Sequence, residues 1–198
     1  MVGKHVSLFV YARGEAARDL PYTLWQMIEE ASDWPRIFWA NDYPPARIPQ
    51  GGDLSEWCNY LHYGKDEKVF CLVVDRFNGD IIGLIWASDV VAERAFMAGW
   101  MTPKMRGKPH AREAVHLFVD FLHNTLHIPV IVAVTPWIEA RNLVKRCGFK
   151  DICFIPNTYR KDVWLLQHVQ TRSVLGDAPR TSARPEEELR QRSDTKEG

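Results

Sequence analysis

The 198 residues are 46% hydrophobic, 12% aromatic and 25% charged, the make-up of one folded domain around a single core. Lys plus Arg and Asp plus Glu are equal at 25 each, which excludes a broad basic surface for nucleic acid and an acidic solvating chain. No run approaches the roughly 18–20 apolar residues that span a bilayer, and the apolar stretch Val6 to Ala12 runs into Arg13, Glu15, Arg18 and Asp19 without a cleavage pattern, so no membrane span or secretory signal is expected.

In chain order, His5 to Ala12 is apolar and β-branched enough for a first strand. Leu20 to Ala31 carries Leu20, Leu24, Trp25, Met27 and Ile28 at helical spacing, with Asp19 as N-cap ahead of Pro21. Trp34 to Gly52 holds Pro35, Pro44, Pro45 and Pro49 and reads as a long irregular loop, and Leu54 to Tyr63 as a short helix. Val69–Val74 and Ile81–Trp86 form a hairpin around Asp75–Asp80, where Asn78-Gly79 is the dipeptide that tolerates positive φ at both positions of a tight turn. A strand follows from Arg94 to Met101. Pro109 to Leu126 is a helix whose apolar face holds Ala111, Ala114, Val115, Phe118, Leu122 and Leu126. Pro129 to Val134 is wholly apolar, as in a strand buried on both sides. Ile138 to Cys147 is a helix that Gly148 ends as a left-handed C′ residue. Cys153–Ile155 and Val163–Val169 close the order β-α-α-β-β-β-α-β-α-β-β. From Gln170 to Gly198 there is no aromatic residue and charge is balanced, so residues 170–198 read as a charged tail behind one domain, 1–169.

Cys58, Cys71, Cys147 and Cys153 make no CxxC pair or zinc-like spacing and read as reduced structural thiols, which suits a cytoplasmic protein. His116, Asp120, His123 and His127 recur on one side of the Pro109 helix. A solvated polar face explains that stripe, and no metal is expected. Arg141, Lys145 and Arg146 suit the negative end of their helix.

The stretch that carries chemistry is Gly99-Trp100-Met101-Thr102-Pro103-Lys104-Met105-Arg106-Gly107-Lys108-Pro109-His110-Ala111-Arg112. A strand stops at a proline, and a short basic, Gly-containing loop leads into a helix. The first amides of a helix have no partner inside it and lie at the positive end of its dipole, so such a turn holds an anion, typically a phosphate. Arg106, Lys108 and Arg112 add full charges around it.

This stretch and the element order resemble the GNAT superfamily of acyl-CoA-dependent N-acetyltransferases. Met101-x-Pro103 is similar to the end of the family's fourth strand. Arg106-Gly107-Lys108-Pro109-His110-Ala111 is similar to its [Gln/Arg]-x-x-Gly-x-[Gly/Ala] loop, matching at Arg106 and Ala111. Ala140-Arg141-Asn142-Leu143-Val144-Lys145-Arg146-Cys147-Gly148-Phe149 resembles its Ala-x-x-hydrophobic-Tyr-x-x-x-Gly-Phe pattern. The resemblance implies an α/β (α+β) domain with a mixed, splayed β-sheet flanked by helices, and acetyl transfer from acetyl-CoA to a primary amine. It places the CoA pyrophosphate on the loop and helix start at Arg106, Gly107, Lys108, His110, Ala111 and Arg112, and the pantetheine along the strand at Trp100 and Met101. Since the family often uses a carboxylate on or near the fourth strand as general base, it points to Glu93, with Asp89 just before it. Tyr159 and His168 are further candidates near the acceptor cleft.

Two residues depart from the pattern. Pro109 stands at the loop glycine and removes one backbone N–H, worth about 1–2 kcal/mol if that amide faces the ligand. Val144 stands where many members carry a tyrosine that protonates the leaving thiolate, and valine has no proton to give. These departures define an alternative, a catalytically inactive GNAT-like structural or interaction protein. Thr135-Pro136 ahead of the Gly148-Phe149 helix resembles phage-encoded members, some of which are internal virion proteins. On either reading a protein partner or second copy would meet the tail or the surface around Trp34, Trp39 and Trp57, whose default role is packing.

Overall fold

The computed structural model describes residues 1–10, 20–33, 69–158 and 161–170. Asp19, the Pro-rich loop, the helix Leu54–Tyr63, Trp34, Trp39, Trp57, Cys58, Tyr159 and the tail beyond Gln170 lie outside the described residues. The elements are β1 (Val6–Val10), α1 (Leu20–Glu30), β2 (Val69–Asp75), β3 (Ile81–Val91), β4 (Arg94–Met101), a 3₁₀ turn (Pro103–Met105), α2 (Pro109–Asn124), β5 (Val130–Thr135), α3 (Ile138–Arg146), β6 (Lys150–Thr158) and β7 (Lys161–Val169). No helix among the described residues is long and apolar enough to cross a membrane.

The strands form one mixed sheet in the order β1-β2-β3-β4-β5-β7-β6. Every neighbouring pair is antiparallel except β4 with β5. That parallel pair is matched only from Arg94↔Val130 to Met97↔Ala133, so both strands run on without each other and the sheet splays.

Alternation along the central strands builds two cores, one on each face. Cys71, Val73, Ile85, Ala87, Ala95, Met97, Ile131 and Ala133 meet Ala114, Val115, Phe118 and Leu122 of α2. Phe70, Leu84, Trp86 and Trp100 meet Leu24, Trp25 and Ile28 of α1 on the other face. Strand β3 is covered on both sides and therefore reads as an unbroken apolar run, IIGLIWA. β5 is not so covered: its residues alternate between half-buried and buried. The reason is the reach of α1, whose core extends over β2, β3 and β4 and stops short of β5.

Local chemistry explains the ends. Gly148 takes φ +94°. Its N–H reaches the Lys145 carbonyl at 3.1 Å, and the Phe149 N–H reaches that of Val144 at 3.2 Å, a Schellman closure of α3. The β2–β3 turn departs from the two-residue form expected of Asn78-Gly79. Gly79 has positive φ, +79°, and Asn78 is not among the positive-φ residues. A five-residue turn forms instead, with the Gly79 N–H on the Asp75 carbonyl at 2.9 Å and the Phe77 N–H on Asp75 Oδ1 at 2.8 Å. The histidine stripe also needs correcting. His116, Asp120 and His127 are exposed, but His123 is only 5% exposed. Its Nδ1 lies 2.6 Å from the Ile128 carbonyl and its Nε2 lies 2.9 Å from His168 Nδ1. A carbonyl only accepts, so His123 Nδ1 donates there, and the facing nitrogens of His123 and His168 share one proton between them. Among the described residues no group of three or more His, Cys, Asp and Glu side chains converges as for a metal.

Glu113 ties α2 to the N-terminal segment, its carboxylate accepting the N–H groups of Lys4, of His5 at 2.7 Å and of Val6 at 3.1 Å. Burial pushes its carboxyl up, but the donors at His5, Lys4 and Val6 and the charge of His5 outweigh that and hold it low. A lowered carboxyl stabilises the fold in full above its unfolded value and loses that contribution as pH falls through the folded one. Glu113→Gln is therefore expected to be less stable than wild type at neutral pH, by about 1–2 kcal/mol after solvent screening. The gap between the two denaturation curves should close as pH drops below the unfolded value of about 4.5.

Cys71, Cys147 and Cys153 are free thiols. Burial pushes Cys71 up to about 12 and Cys147 up to about 11, so neither supplies thiolate near neutrality. In native protein at pH 8, thiol labelling mapped by mass spectrometry is expected at exposed Cys153 and not at Cys71 or Cys147 until the chain unfolds.

Candidate active site

Where β4 and β5 part, a cavity of about 150 Å³ opens through the sheet. Met97 to Met101 of β4, Ala133 to Thr135 of β5, Ala111, Ala114 and Val115 of α2, and Trp137, Ala140, Leu143 and Val144 at α3 line it. Beyond Met97, the edge of β4 that faces β5 has no strand partner among the described residues; its Met101 carbonyl accepts Arg106 Nε at 3.1 Å, and the rest of that edge is left to pair with a ligand.

The N-terminus of α2 abuts this opening, because Ala111 in its first turn lines the cavity. The chain reaches it through Thr102 to Lys108. The Met105 N–H bonds the Thr102 carbonyl at 2.9 Å, the Lys108 N–H bonds that of Met105 at 3.3 Å, and Gly107 turns with φ +74°. Helix geometry leaves the amides of His110 and Ala111 without an intrahelical acceptor. Pro109 occupies the first helical position, where an N–H would have no acceptor within the helix in any case. No acidic residue lies in that first turn. A β-carbon on Gly107 would meet nothing within 4 Å, so the loop is open to an approaching group.

The structure thus gathers Trp100, Met101 and Ala111 at the cavity, with Gly107, Lys108 and the His110 amide on the loop and helix start beside it. Two side chains go elsewhere. Arg106 is turned into the protein, pairing with Asp33 Oδ2 and donating from Nε to the Met101 carbonyl at 3.1 Å. The His110 ring packs 5.3 Å from that of His5, with Nε2 3.8 Å from Asp75 Oδ2. Arg112 is exposed, and its carbonyl accepts the Cys147 thiol at 3.7 Å. Glu93 lies exposed in the β3–β4 turn, seven residues and roughly 23 Å along the strand from Trp100. Asp89, at φ +48°, is exposed near the same turn. His168 pairs in register with Ile131, where the sheet is still closed. Burial, then the charges of His123 and His116, hold its imidazole low. The structure does not bring Glu93, Asp89 or His168 to the cavity, and Tyr159 lies outside the described residues.

Arg141 and Lys145 leave the helix end for β6. Asp151 takes Arg141 at 2.9 and 2.8 Å and Lys145 at 2.6 Å, and these donors pull its carboxyl down to about 2.

Sequence reasoning missed Asp33. The turn after α1 closes with Ser32 at φ +52° and the Asp33 N–H on the Ile28 carbonyl at 3.1 Å, which delivers Asp33 to the sheet. It is 6% exposed and accepts Trp100 Nε1 at 3.0 Å as well as Arg106. One carboxylate therefore joins α1, β4 and the loop that leads to α2. Its partners lie 67 and 73 residues away, a separation for which no local pattern exists.

A mixed sheet splayed at its one parallel pair, with a helix N-terminus at the opening, is the architecture of an acyl-CoA-dependent acetyltransferase domain. The chain belongs to that family: the acetyltransferase (GNAT) domain model matches residues 19–150. No curated protein matches the chain by sequence. Among solved structures it is similar to the spermidine N-acetyltransferase from Vibrio cholerae in complex with CoA and spermine. That likeness has a TM-score of 0.60 and 19% identity, over 82% of this chain and 95% of that one. A dodecameric structure of the Vibrio cholerae enzyme in an intermediate state gives 0.61 at 18% identity, over 86% and 97%. The Campylobacter jejuni N-acetyltransferase PseH in complex with acetyl coenzyme A gives 0.56 at 15% identity, over 84% and 99%. At these identities the likeness is one of fold.

Proposed function

We propose that this protein is an N-acetyltransferase that transfers acetyl from acetyl-CoA to a primary amine. The observation that carries the reading is the cavity between the parted ends of β4 and β5, with the first turn of α2 at its edge. The residues fit acetyl-CoA. The free amides of His110 and Ala111, with Lys108 and Arg112 nearby, suit a diphosphate, and the edge of β4 beyond Met97, unpaired by β5, suits the amides of a pantetheine arm alongside Trp100 and Met101. Bound there, acetyl-CoA supplies an activated acyl group. The chain's own part is to hold that acyl group in the apolar gap, exclude water and present the amine to it, with no covalent attachment to the protein. The spermidine enzyme and PseH, similar in fold, support an amine acceptor.

Free thiols at Cys71, Cys147 and Cys153 support a reducing, cytoplasmic setting. A protein partner or a second copy remains part of the reading, supported by β6, an edge strand that exposes Ile152, Phe154 and Ile155.

The reading is tested by incubating the protein with acetyl-CoA and a panel of polyamines, amino sugars and peptide α-amines. Free thiol and acetylated amine are followed together. The expected result is thiol release matched one for one by acetylated product for at least one class. A panel silent throughout would overturn the enzyme reading in favour of the non-catalytic alternative, a structural protein such as a phage virion component.

A further inference from the structure

Resting on the acetyl-transfer reading, we propose that the hydroxyl of Thr135 takes the place of the absent phenol at Val144 and hydrogen-bonds the departing thiolate. Val144 is 7% exposed and lines the cavity, so the position where a proton donor would stand is occupied by an aliphatic side chain. None of the lining residues among those described has an ionisable side chain. Among the described residues, stabilising the leaving group therefore falls to a neutral donor or to the backbone.

Thr135 carries the one hydroxyl among those lining residues, and it is 7% exposed. It sits two residues past the last β4–β5 match, Met97↔Ala133, at the mouth of the splay. Its Oγ1 accepts the Trp137 N–H at 3.1 Å. That bond fixes the rotamer, and because an oxygen that accepts becomes a better donor, it strengthens the O–H for a further bond. Three indoles, of Trp86, Trp100 and Trp137, also line the cavity; that of Trp100 is committed to Asp33, and the Thr135 variants below separate the hydroxyl from the other two. Helix α3 begins at Ile138, three residues on, and its N-terminal dipole adds partial positive charge on the same side.

The step balances without an ionisable group. The amine lone pair forms the N–C bond at the thioester carbonyl, and the C–S bond breaks with its electron pair on sulfur. The thiolate leaves hydrogen-bonded to Thr135, which keeps its proton. The proton shed by the acylated nitrogen passes to solvent, and solvent returns one to sulfur on release.

The test needs no acceptor. Reduced CoA is bound to the protein and its thiol titrated by the ultraviolet absorbance of the thiolate. The expected result is an acid dissociation constant about tenfold larger than that of free CoA. Thr135→Val should abolish that gain and Thr135→Ser should keep it, while the dissociation constant for acetyl-CoA stays within about threefold of wild type. Thr135→Ala is a second variant lacking the hydroxyl, and thermal melts confirm that each is folded. With an accepted amine, kcat should fall at least about tenfold in Thr135→Val at unchanged KM. A bound thiol that titrates like free CoA, or a shift that survives in Thr135→Val and Thr135→Ala, overturns the role of Thr135 and leaves the acetyltransferase reading intact. Failure of wild type to bind CoA overturns both.

Discussion

Asp33→Ala is expected to lower the unfolding free energy by about 3 kcal/mol and to weaken acetyl-CoA binding about tenfold. The carboxylate is 6% exposed and serves two donors at once, the Trp100 indole and the Arg106 guanidinium. Removing it leaves the indole N–H buried without that acceptor and a half-buried cation without its counter-charge, the costly way to break an internal ion pair. The Arg106 side chain is 33% exposed, which keeps the figure near the lower end of the range for buried pairs. Binding suffers because Arg106 begins the turn that aims Gly107, Lys108 and the first amides of α2. Asp33→Asn keeps an acceptor for Trp100 and loses only the charge, so it should cost about 1–2 kcal/mol. Denaturant midpoints check the first effect and calorimetric titration the second. If Asp33→Ala unfolds like wild type, the triad of Asp33, Trp100 and Arg106 does not hold the loop.

Phe118→Ala should cost about 3–5 kcal/mol and lower the melting temperature by roughly 10 °C. Phe118 is wholly buried and stands between α2 and the central strands, with the Phe121 ring 6.3 Å away. The neighbours that could move in are held by the sheet on one side and by the helix on the other, so the cavity stays open. A loss below about 1.5 kcal/mol would show that this face of α2 is loosely packed.

Legibility followed the range of the interaction. The strand Arg94–Met101 has the bounds its pattern predicts, because a proline-bearing loop and a turn delimit it locally. Ala111, Ala114, Val115, Phe118 and Leu122 form the buried face of α2, since helical period alone decides it. Gly148 was legible for the same reason. What failed depends on distant partners. His123 sits at the margin of the polar stripe, and only the arrival of Ile128 and His168 makes it a core residue. Arg106 lies in a motif that suggests a phosphate contact, yet Asp33, 73 residues earlier, claims its guanidinium. The motif marks the loop ahead of α2 through local signals, a strand end, a glycine and a proline, whereas amides that would hold an anion leave no signature at any one side chain. Thr135 ends its strand ahead of a proline, an ordinary pattern in sequence; the parting of β4 and β5 is what sets the residue on a cavity wall.

Calorimetric titration of the folded protein with acetyl-CoA, with 3′-dephospho-CoA alongside, tests the site most directly. Micromolar binding, weakened at least about tenfold by Arg106→Ala, is the predicted result and establishes a working cleft despite Pro109. No heat of binding up to millimolar acetyl-CoA, in protein that melts cooperatively, would contradict it and leave the splayed sheet as scaffold for assembly.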